Sequence, residues 1–194
     1  MLLSPLDESE LAAVSHLPWQ PWDDKGLPCL PPRVVAWLAE SGSLTQRLRQ
    51  LDLTVSVQLL REGMAAGVGN EWQRQVLLLA GETPWLWGFT QLSAATLAAC
   101  PAVAAQGSRP IGDWLFGLGG AQRLSLAWCV VPTDSASLLR QLAPGVARLW
   151  GRRTRLQLQA CCPDGSPAEL WLTELFLPGA ELPPCPMQKE SDLC

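Results

Sequence analysis

Two charged residues occupy apolar positions in predicted strands, where a charge is costly unless something compensates it. Glu174 lies in LWLTELFLP, a stretch of Leu, Trp, Thr and Phe ending at a proline that cannot continue a strand. Alternation along a strand places Glu174 on one face with Leu172 and Phe176. Burial alone would raise the pKa of such a carboxyl group. Glu174 is therefore either a binding or catalytic acid facing a pocket, or a residue that is solvated or paired with a structural arginine.

Arg74 is the second such residue, and it shares a predicted strand face with Val76 and Leu78. Its guanidinium stays charged, and its planar fork matches a carboxylate, so a buried Arg74 without a protein partner would indicate an anionic ligand. The alternative is that Arg74 and Glu174 pair with each other. Three more arginines lie in WGRRTR, residues 150–155. We interpret that cluster as a solvated strand edge protected by charge.

Other kinds of chemistry find little support in the sequence. The single histidine, His16, lies in a predicted N-terminal helix and is expected to be a surface or packing residue. There is no G-x-S-x-G motif and no glycine loop with phosphate-binding spacing. The seven cysteines form no C-x-x-C pair, so we expect no metal site. A net charge of −4 without a basic block argues against nucleic-acid binding.

The elements that must position these residues predict an α+β fold. The chain has 194 residues, 48% hydrophobic and 16% charged, which fits one domain with a large core. Apolar periodicity predicts helices over residues 9–17, 33–40, 93–100, 111–116 and 134–142, with another ending at Leu51 that Ser43 or Thr45 would cap. It predicts strands over residues 53–61, 72–80, 85–92, 122–131, 152–160 and 170–177. Short links between the first three strands indicate an antiparallel meander within a mostly antiparallel sheet of roughly six strands.

The two ends of the chain carry further expectations. Acidic residues in the first twenty positions argue against a secretory leader, and the apolar stretch 92–105 is too short to span a bilayer. We therefore predict a cytoplasmic protein without a membrane span. The domain is expected to cover residues 1–178. Residues 179–194, proline-containing and then polar, are expected to form a flexible tail.

Six segments, in order, resemble one enzyme family. They are GSLTQRL, TVSVQLLREG, RQVLLLAGETPWLWG, RPIGDWLF, LWGRRTRLQL and LWLTELFLP, and the similarity runs from about Val34 to Pro178. Together they resemble chorismate lyase, which splits chorismate into 4-hydroxybenzoate and pyruvate, the first committed step of ubiquinone biosynthesis. The resemblance implies a small α+β fold with helical flaps closed over an internal ligand pocket.

The family's site residues map onto positions of this chain. The resemblance implies that Arg74 binds the product and that Glu174 is the pocket glutamate. Leu44 and Ile111 match positions that form the apolar wall. Phe89 stands where a relative has a basic residue, which leaves open whether an anion contact at that position is lost. The resemblance further implies chorismate as substrate and no metal or organic cofactor. A pocket that holds an aromatic acid by an arginine should also hold the product, so we expect slow product release and product inhibition. We expect a monomer.

Two other classes of function remain open. A non-catalytic sensor of aromatic acids could have the same fold, since effector-binding domains of some transcription regulators resemble it. Such a protein would carry a DNA-binding module, and no basic helix-turn-helix precedes residue 32, so the enzyme is favoured. The ten tryptophans would also fit a protein-interaction module, which would need an exposed apolar patch but no buried Arg74 or Glu174.

Overall fold

A computed structural model describes residues 3–23, 30–65, 70–117, 120–159 and 168–185. The helices are α1 (Glu8–Ser15), α2 (Pro32–Leu38), α3 (Leu44–Gln50), α4 (Ala94–Ala99), α5 (Ile111–Leu115) and α6 (Ser137–Leu142). The strands are β1 (Gln20–Pro21), β2 (Val55–Met64), β3 (Glu71–Ala80), β4 (Thr83–Ser93), β5 (Ala121–Pro132), β6 (Arg148–Leu158) and β7 (Glu169–Phe176). In this part of the chain, no helix combines the length and the apolarity needed to cross a membrane.

Local side-chain caps fix where several helices begin. The Ser43 hydroxyl accepts a hydrogen bond from the Gln46 backbone N–H, so Ser43 rather than Thr45 caps α3. Ser93 caps α4 in the same way, as its sequence position predicts. The helix predicted over residues 134–142, for which Asp134 or Ser135 could serve as the cap, begins later. Residues 133–135 form a separate 3₁₀ turn, and α6 begins after it without a cap from the side chain of its own N-cap residue, Ala136.

The sheet is antiparallel throughout and has the order β1-β5-β6-β7-β4-β3-β2. Strands β2, β3 and β4 form the predicted meander. The described residues contain seven strands rather than about six, because Gln20–Pro21, which the apolar periodicity does not assign to a strand, pairs with β5. The last strand, β7, lies between β4 and β6 at the centre of the sheet. The α+β prediction is confirmed.

Helices pack on both faces of the sheet, which divides the core. On the face that we call the back, α1 and α6 cover apolar side chains that include Leu77, Trp87 and Leu175. On the front, α2 and α3 cover one apolar cluster, and α5 joins a second cluster with Leu156 and Leu170. The front carries the predicted site residues, and its helices are the ones that can enclose a ligand.

The segment assigned to a flexible tail begins as packed structure. Residues 178–180 form a 3₁₀ turn, and Ala180 is fully buried. The indole N–H of Trp150 donates to the carbonyl of Pro183 at 2.8 Å. Cys185 packs against the front cluster. Residues 179–185 therefore pack against the domain, while residues 186–194 lie outside the described part, and the flexible tail stays a prediction. The domain boundary at 178 stays a prediction.

Candidate active site

A cavity on the front face brings together all four residues that the sequence singles out. Arg74 and Glu174 reach it from the sheet, and Leu44 and Ile111 reach it from α3 and α5. Each of the four has less than a tenth of its surface exposed. The remaining lining comes from the same strands and helices: Ser43, Thr45, Val57, Val76, Leu78, Leu86, Gly88, Thr90, Pro110, Gly112, Phe116, Arg152 and Leu172. The site is thus an apolar cavity with a few polar groups on its floor, as ligand sites commonly are.

The register of the central strands produces this polar floor. Glu174 on β7 lies opposite Gly88 on β4 and opposite Arg152 on β6. Arg74 on β3 lies opposite Thr90 on β4. Residues directly opposite one another in an antiparallel sheet point to the same face, so these side chains converge above the sheet. Gly88 contributes no side chain, which leaves room above β4 between the two charged groups.

Arg74 is almost completely buried, with 1% of its side chain exposed. Its Nη2 donates to the carbonyl oxygens of Gly107 at 2.7 Å and Arg109 at 2.9 Å, in the segment that leads into α5. Its Nε is buried without a hydrogen-bond partner and lies 3.8 Å from the Glu62 carboxylate. Burial lowers the pKa of Arg74, and the charge of Glu62 opposes that shift. Arg74 therefore holds the α5 segment and keeps a buried donor that a ligand carboxylate could use.

Glu174 pairs with Arg152 and not with Arg74. The Arg152 Nε donates to Glu174 Oε2 at 2.5 Å, and both side chains are buried. The Arg152 Nη1 donates to the carbonyl oxygen of Glu40 at 3.1 Å, in the connection between α2 and α3. The expectation of a direct Arg74–Glu174 pair is wrong, whereas pairing of Glu174 with another arginine is observed. The cavity floor thus holds two guanidinium groups and one carboxylate.

The interpretation of residues 150–155 as a solvated strand edge is wrong, and because of it Arg152 was not among the predicted site residues. Strand β6 is internal, between β5 and β7, and Arg152 is 2% exposed. A usable signal existed in the alternation of the strand. Leu156 and Leu158 are apolar residues of one parity on this strand, and Arg152 has the same parity. Arg155, of opposite parity, points to the back and pairs with Glu169 on its exposed surface.

The two helical segments over the cavity contact each other. Arg49 on α3 donates to the Asp113 carboxylate on α5 at 2.8 Å. A Cβ added at Gly112 would lie 2.5 Å from the Ser43 hydroxyl and 3.3 Å from its Cβ. Only a glycine allows α5 to approach α3 this closely. These contacts close the cavity above the sheet and bring Leu44 and Ile111 over it.

Phe89 and His16, which the sequence also raised as possible contributors to a site, lie outside the cavity. Phe89 is on the back face, where its ring stacks on Trp87 at 5.8 Å between centroids, so it does not line the cavity. His16 is exposed, and its Nδ1 is 2.8 Å from the carbonyl oxygen of Ala12, which confirms the expected surface position. Among the described residues, no three His, Cys, Asp or Glu side chains are grouped so that they could hold a metal.

Comparisons with known proteins agree with the sequence resemblance. A family model described as chorismate lyase matches residues 13–180. The chorismate pyruvate-lyase of Escherichia coli O9:H4 strain HS is 35% identical over 172 residues, which cover 81% of this chain and 90% of that protein. The chorismate pyruvate-lyase of Shigella boydii serotype 18 matches to the same extent. The crystal structure of PhnF from Mycobacterium smegmatis has a TM-score of 0.52 at 13% identity, over 78% of this chain and 70% of that one, which shows a shared fold alone.

Proposed function

The chain belongs to the chorismate lyase family, and we propose that its front cavity holds chorismate between Arg74 and Glu174 while pyruvate is lost. Its activity is that of a carbon–oxygen lyase, which converts chorismate to 4-hydroxybenzoate and pyruvate. This reaction is consistent with the first committed step of ubiquinone biosynthesis. The observation that carries the placement is that Arg74, Glu174, Leu44 and Ile111 line one buried cavity.

Arg74 would bind the ring carboxylate of chorismate. Its Nη2 is engaged by two backbone carbonyls, which leaves Nε and Nη1 as the donors for a ligand. A ligand carboxylate that reaches the unpartnered Nε would exchange its own hydrogen bonds to water for a charge-assisted hydrogen bond to Arg74. Thr90 lies beside Arg74 in the register and lines the same end of the cavity. The ring is thereby oriented with its carboxylate toward β3 and its opposite side toward β7.

Glu174 would then accept a hydrogen bond from the ring hydroxyl. A carboxylate paired at 2.5 Å with a guanidinium is held as an acceptor, so this geometry favours a binding role over a general-acid role. In the corresponding route, the ring hydrogen moves to the enolpyruvyl methylene as the C–O bond breaks. The electron pair of that C–O bond becomes the carbonyl π bond of pyruvate, the C=C pair of the enolpyruvyl group forms the new C–H bond, and the pair of the broken ring C–H bond completes the aromatic ring, so no separate anion forms. The protein contributes conformation and exclusion of water.

The cavity floor is suited to retain the product as well as the substrate. 4-Hydroxybenzoate keeps both the carboxylate and the hydroxyl that Arg74 and Glu174 would contact. We therefore propose slow product release and product inhibition, with release limited by separation of the helices that carry Leu44 and Ile111. Product dissociation much faster than turnover would contradict this proposal. Monomeric state and cytoplasmic location stay predictions of the sequence.

The decisive experiment is to incubate the purified protein with chorismate and to quantify 4-hydroxybenzoate and pyruvate. Equal amounts of both products over many turnovers are expected. No product, together with saturable binding of 4-hydroxybenzoate, would instead identify an aromatic-acid sensor. The pH dependence of kcat tests the role of Glu174. A kcat that falls as pH rises through the titration of a single group would indicate proton donation and would contradict the acceptor role.

A further inference from the structure

We propose that Arg152 is a positioning residue of this site, which orients the Glu174 carboxylate toward the ring hydroxyl and ties it to the helical segment above. This inference rests on the proposed function, because it assumes that Glu174 contacts a ligand hydroxyl. It concerns how the protein distinguishes a hydroxylated ring from one without the hydroxyl.

The first observation is the geometry of the pair. Arg152 and Glu174 are directly opposite each other on β6 and β7, and Arg152 Nε donates to one carboxylate oxygen, Oε2. No hydrogen bond to the other oxygen, Oε1, is seen among the described residues. With one oxygen held by a buried guanidinium, the carboxylate plane has little freedom to rotate. The second oxygen is therefore left to accept from a ligand in the cavity that Glu174 lines.

The second observation is what else Arg152 holds. Its Nη1 donates to the Glu40 carbonyl oxygen, and Arg123 on β5 donates to that same oxygen at 2.7 Å. The Glu40 carboxylate in turn accepts from Arg47 on α3 and from the Gly42 backbone N–H, both at 2.9 Å. Arg152 thus connects the floor of the cavity to the α2–α3 connection, whose next residues line the cavity.

The third observation is that the buried Arg152–Glu174 pair has a free-energy cost that apolar residues at the same positions would not have. Two cations, Arg152 and Arg123, converge on one carbonyl, and burial together with the charge of Arg152 lowers the pKa of Arg123. Buried ion pairs contribute little net stability compared with apolar residues of the same volume. A second arginine–glutamate pair, Arg155 with Glu169, joins the same two strands on the back face, where it is partly exposed. The buried pair is distinguished from it by facing the cavity.

The test compares two ligands that differ only in the hydroxyl, 4-hydroxybenzoate and benzoate. The dissociation constants of both are measured by calorimetry for the wild type, Arg152→Met, Arg152→Lys and the matched control Arg155→Met. We expect the wild type to prefer 4-hydroxybenzoate by roughly tenfold or more, as a hydrogen bond to a charged acceptor would give. In Arg152→Met this preference should fall to about threefold or less, with partial recovery in Arg152→Lys. Arg155→Met should keep the wild-type preference.

Equal losses of affinity for both ligands in the Arg152 variants, with an unchanged ratio, would show a merely structural role and overturn the proposal. If Arg152→Met fails to fold, the ratio in Arg152→Lys decides: a preference clearly below that of the wild type supports the proposal, because a lysine ammonium reproduces the planar contact with Glu174 only in part, and an unchanged preference overturns it. A wild type that neither binds 4-hydroxybenzoate nor turns over chorismate would contradict the proposed function itself. A wild type that does both, with Arg152 variants that keep its preference, would contradict the positioning role alone.

Discussion

Replacement of Arg74 by methionine is the sharpest test of the cavity as a carboxylate site. Methionine keeps much of the side-chain volume and removes the charge. In the bound state, loss of the guanidinium would leave a ligand carboxylate buried without its partner. Breaking a buried pair in this way costs about 3–5 kcal/mol. Since each 1.36 kcal/mol corresponds to a factor of ten, kcat/KM for chorismate should fall by about 10²–10⁴-fold.

The same substitution also weakens the fold, which the structure allows us to estimate. Arg74 Nη2 makes two hydrogen bonds to the carbonyls of Gly107 and Arg109, each worth about 1.5–3 kcal/mol for a charged donor. Relief from burying the guanidinium offsets part of this loss, because burial already opposes its charge. The remainder is a substantial fraction of a typical domain stability of about 5–15 kcal/mol. A thermal melt must therefore accompany every kinetic measurement.

Two further variants separate the two effects. Arg74→Lys keeps the charge as a point donor and should lose about 10-fold to 10²-fold in kcat/KM. Arg155→Met removes an arginine from the back face, where it pairs with Glu169, and should change kcat/KM by less than about twofold. Arg74→Lys thus measures the contribution of the planar guanidinium at the cavity. Arg155→Met measures the effect of removing an arginine from elsewhere in the sheet.

A comparison of two ligands tests whether the effect of Arg74 depends on the ligand carboxylate, the group opposite to the hydroxyl on the ring. Affinity for 4-hydroxybenzoate should fall in Arg74→Met, whereas affinity for the neutral 4-hydroxybenzamide should change much less. A folded Arg74→Met protein with kcat/KM within about threefold of the wild type would refute the reasoning. Equal losses for the two ligands would do the same, because the effect would then not depend on the carboxylate.

Three other predictions follow from local geometry. Gly112→Ala should speed release of 4-hydroxybenzoate in stopped-flow measurements, because the new Cβ would meet the Ser43 side chain and separate α5 from α3; unchanged release would show that the helices adjust without opening. Burial raises the pKa of Glu10, but the hydrogen bonds that its carboxylate accepts from Ser137 and from the Asp7 backbone N–H together outweigh burial and hold that pKa below its usual value. The resulting stabilisation is present above the unfolded pKa of about 4.3 and is lost as pH falls through the folded value. Glu10→Gln should therefore lower Tm at pH 7 by about 1–4 °C and by less at pH 3, and an equal loss at both pH values would contradict this assignment. Burial raises the pKa of the Cys185 thiol to about 12. Alkylation of Cys185 at pH 8, mapped by peptide mass spectrometry, should therefore be roughly a thousandfold slower in the folded protein than in urea. Equal rates would show that the thiol is not shielded.

Phe89 illustrates how the fold resolves a question that the sequence raises. The replacement of a basic residue at this position leaves open whether an anion contact is lost. In the structure its ring is buried on the back face and stacks on Trp87. Strand alternation explains this, since its neighbours Gly88 and Thr90 line the cavity on the front. The substitution therefore changes the core behind the sheet and leaves the lining of the cavity as it is.

The sequence by itself determined the features that depend on local periodicity. Two-residue alternation identified the strands β2 to β7 and placed Arg74 and Glu174 on apolar faces, and capping chemistry located the starts of α3 and α4. The meander of β2, β3 and β4 followed from short links, because consecutive strands joined in this way pair with each other. Leu44 and Ile111 came from the family resemblance, since their apolar character alone distinguishes them from no other core residue.

Only the tertiary structure decided which partner Glu174 has. β7 is last in the chain but lies between β4 and β6, and nothing local in its sequence specifies those neighbours. The pairing of Arg152 with Glu174 depends on that placement and on a register in which the two are directly opposite. The same placement makes β6 an internal strand, so that arginines expected at a solvated edge are divided between a buried cavity on the front and partly exposed positions on the back face. Strand order is set by the burial of faces far apart in sequence, which is why alternation can assign a side chain to a face but cannot name its neighbour.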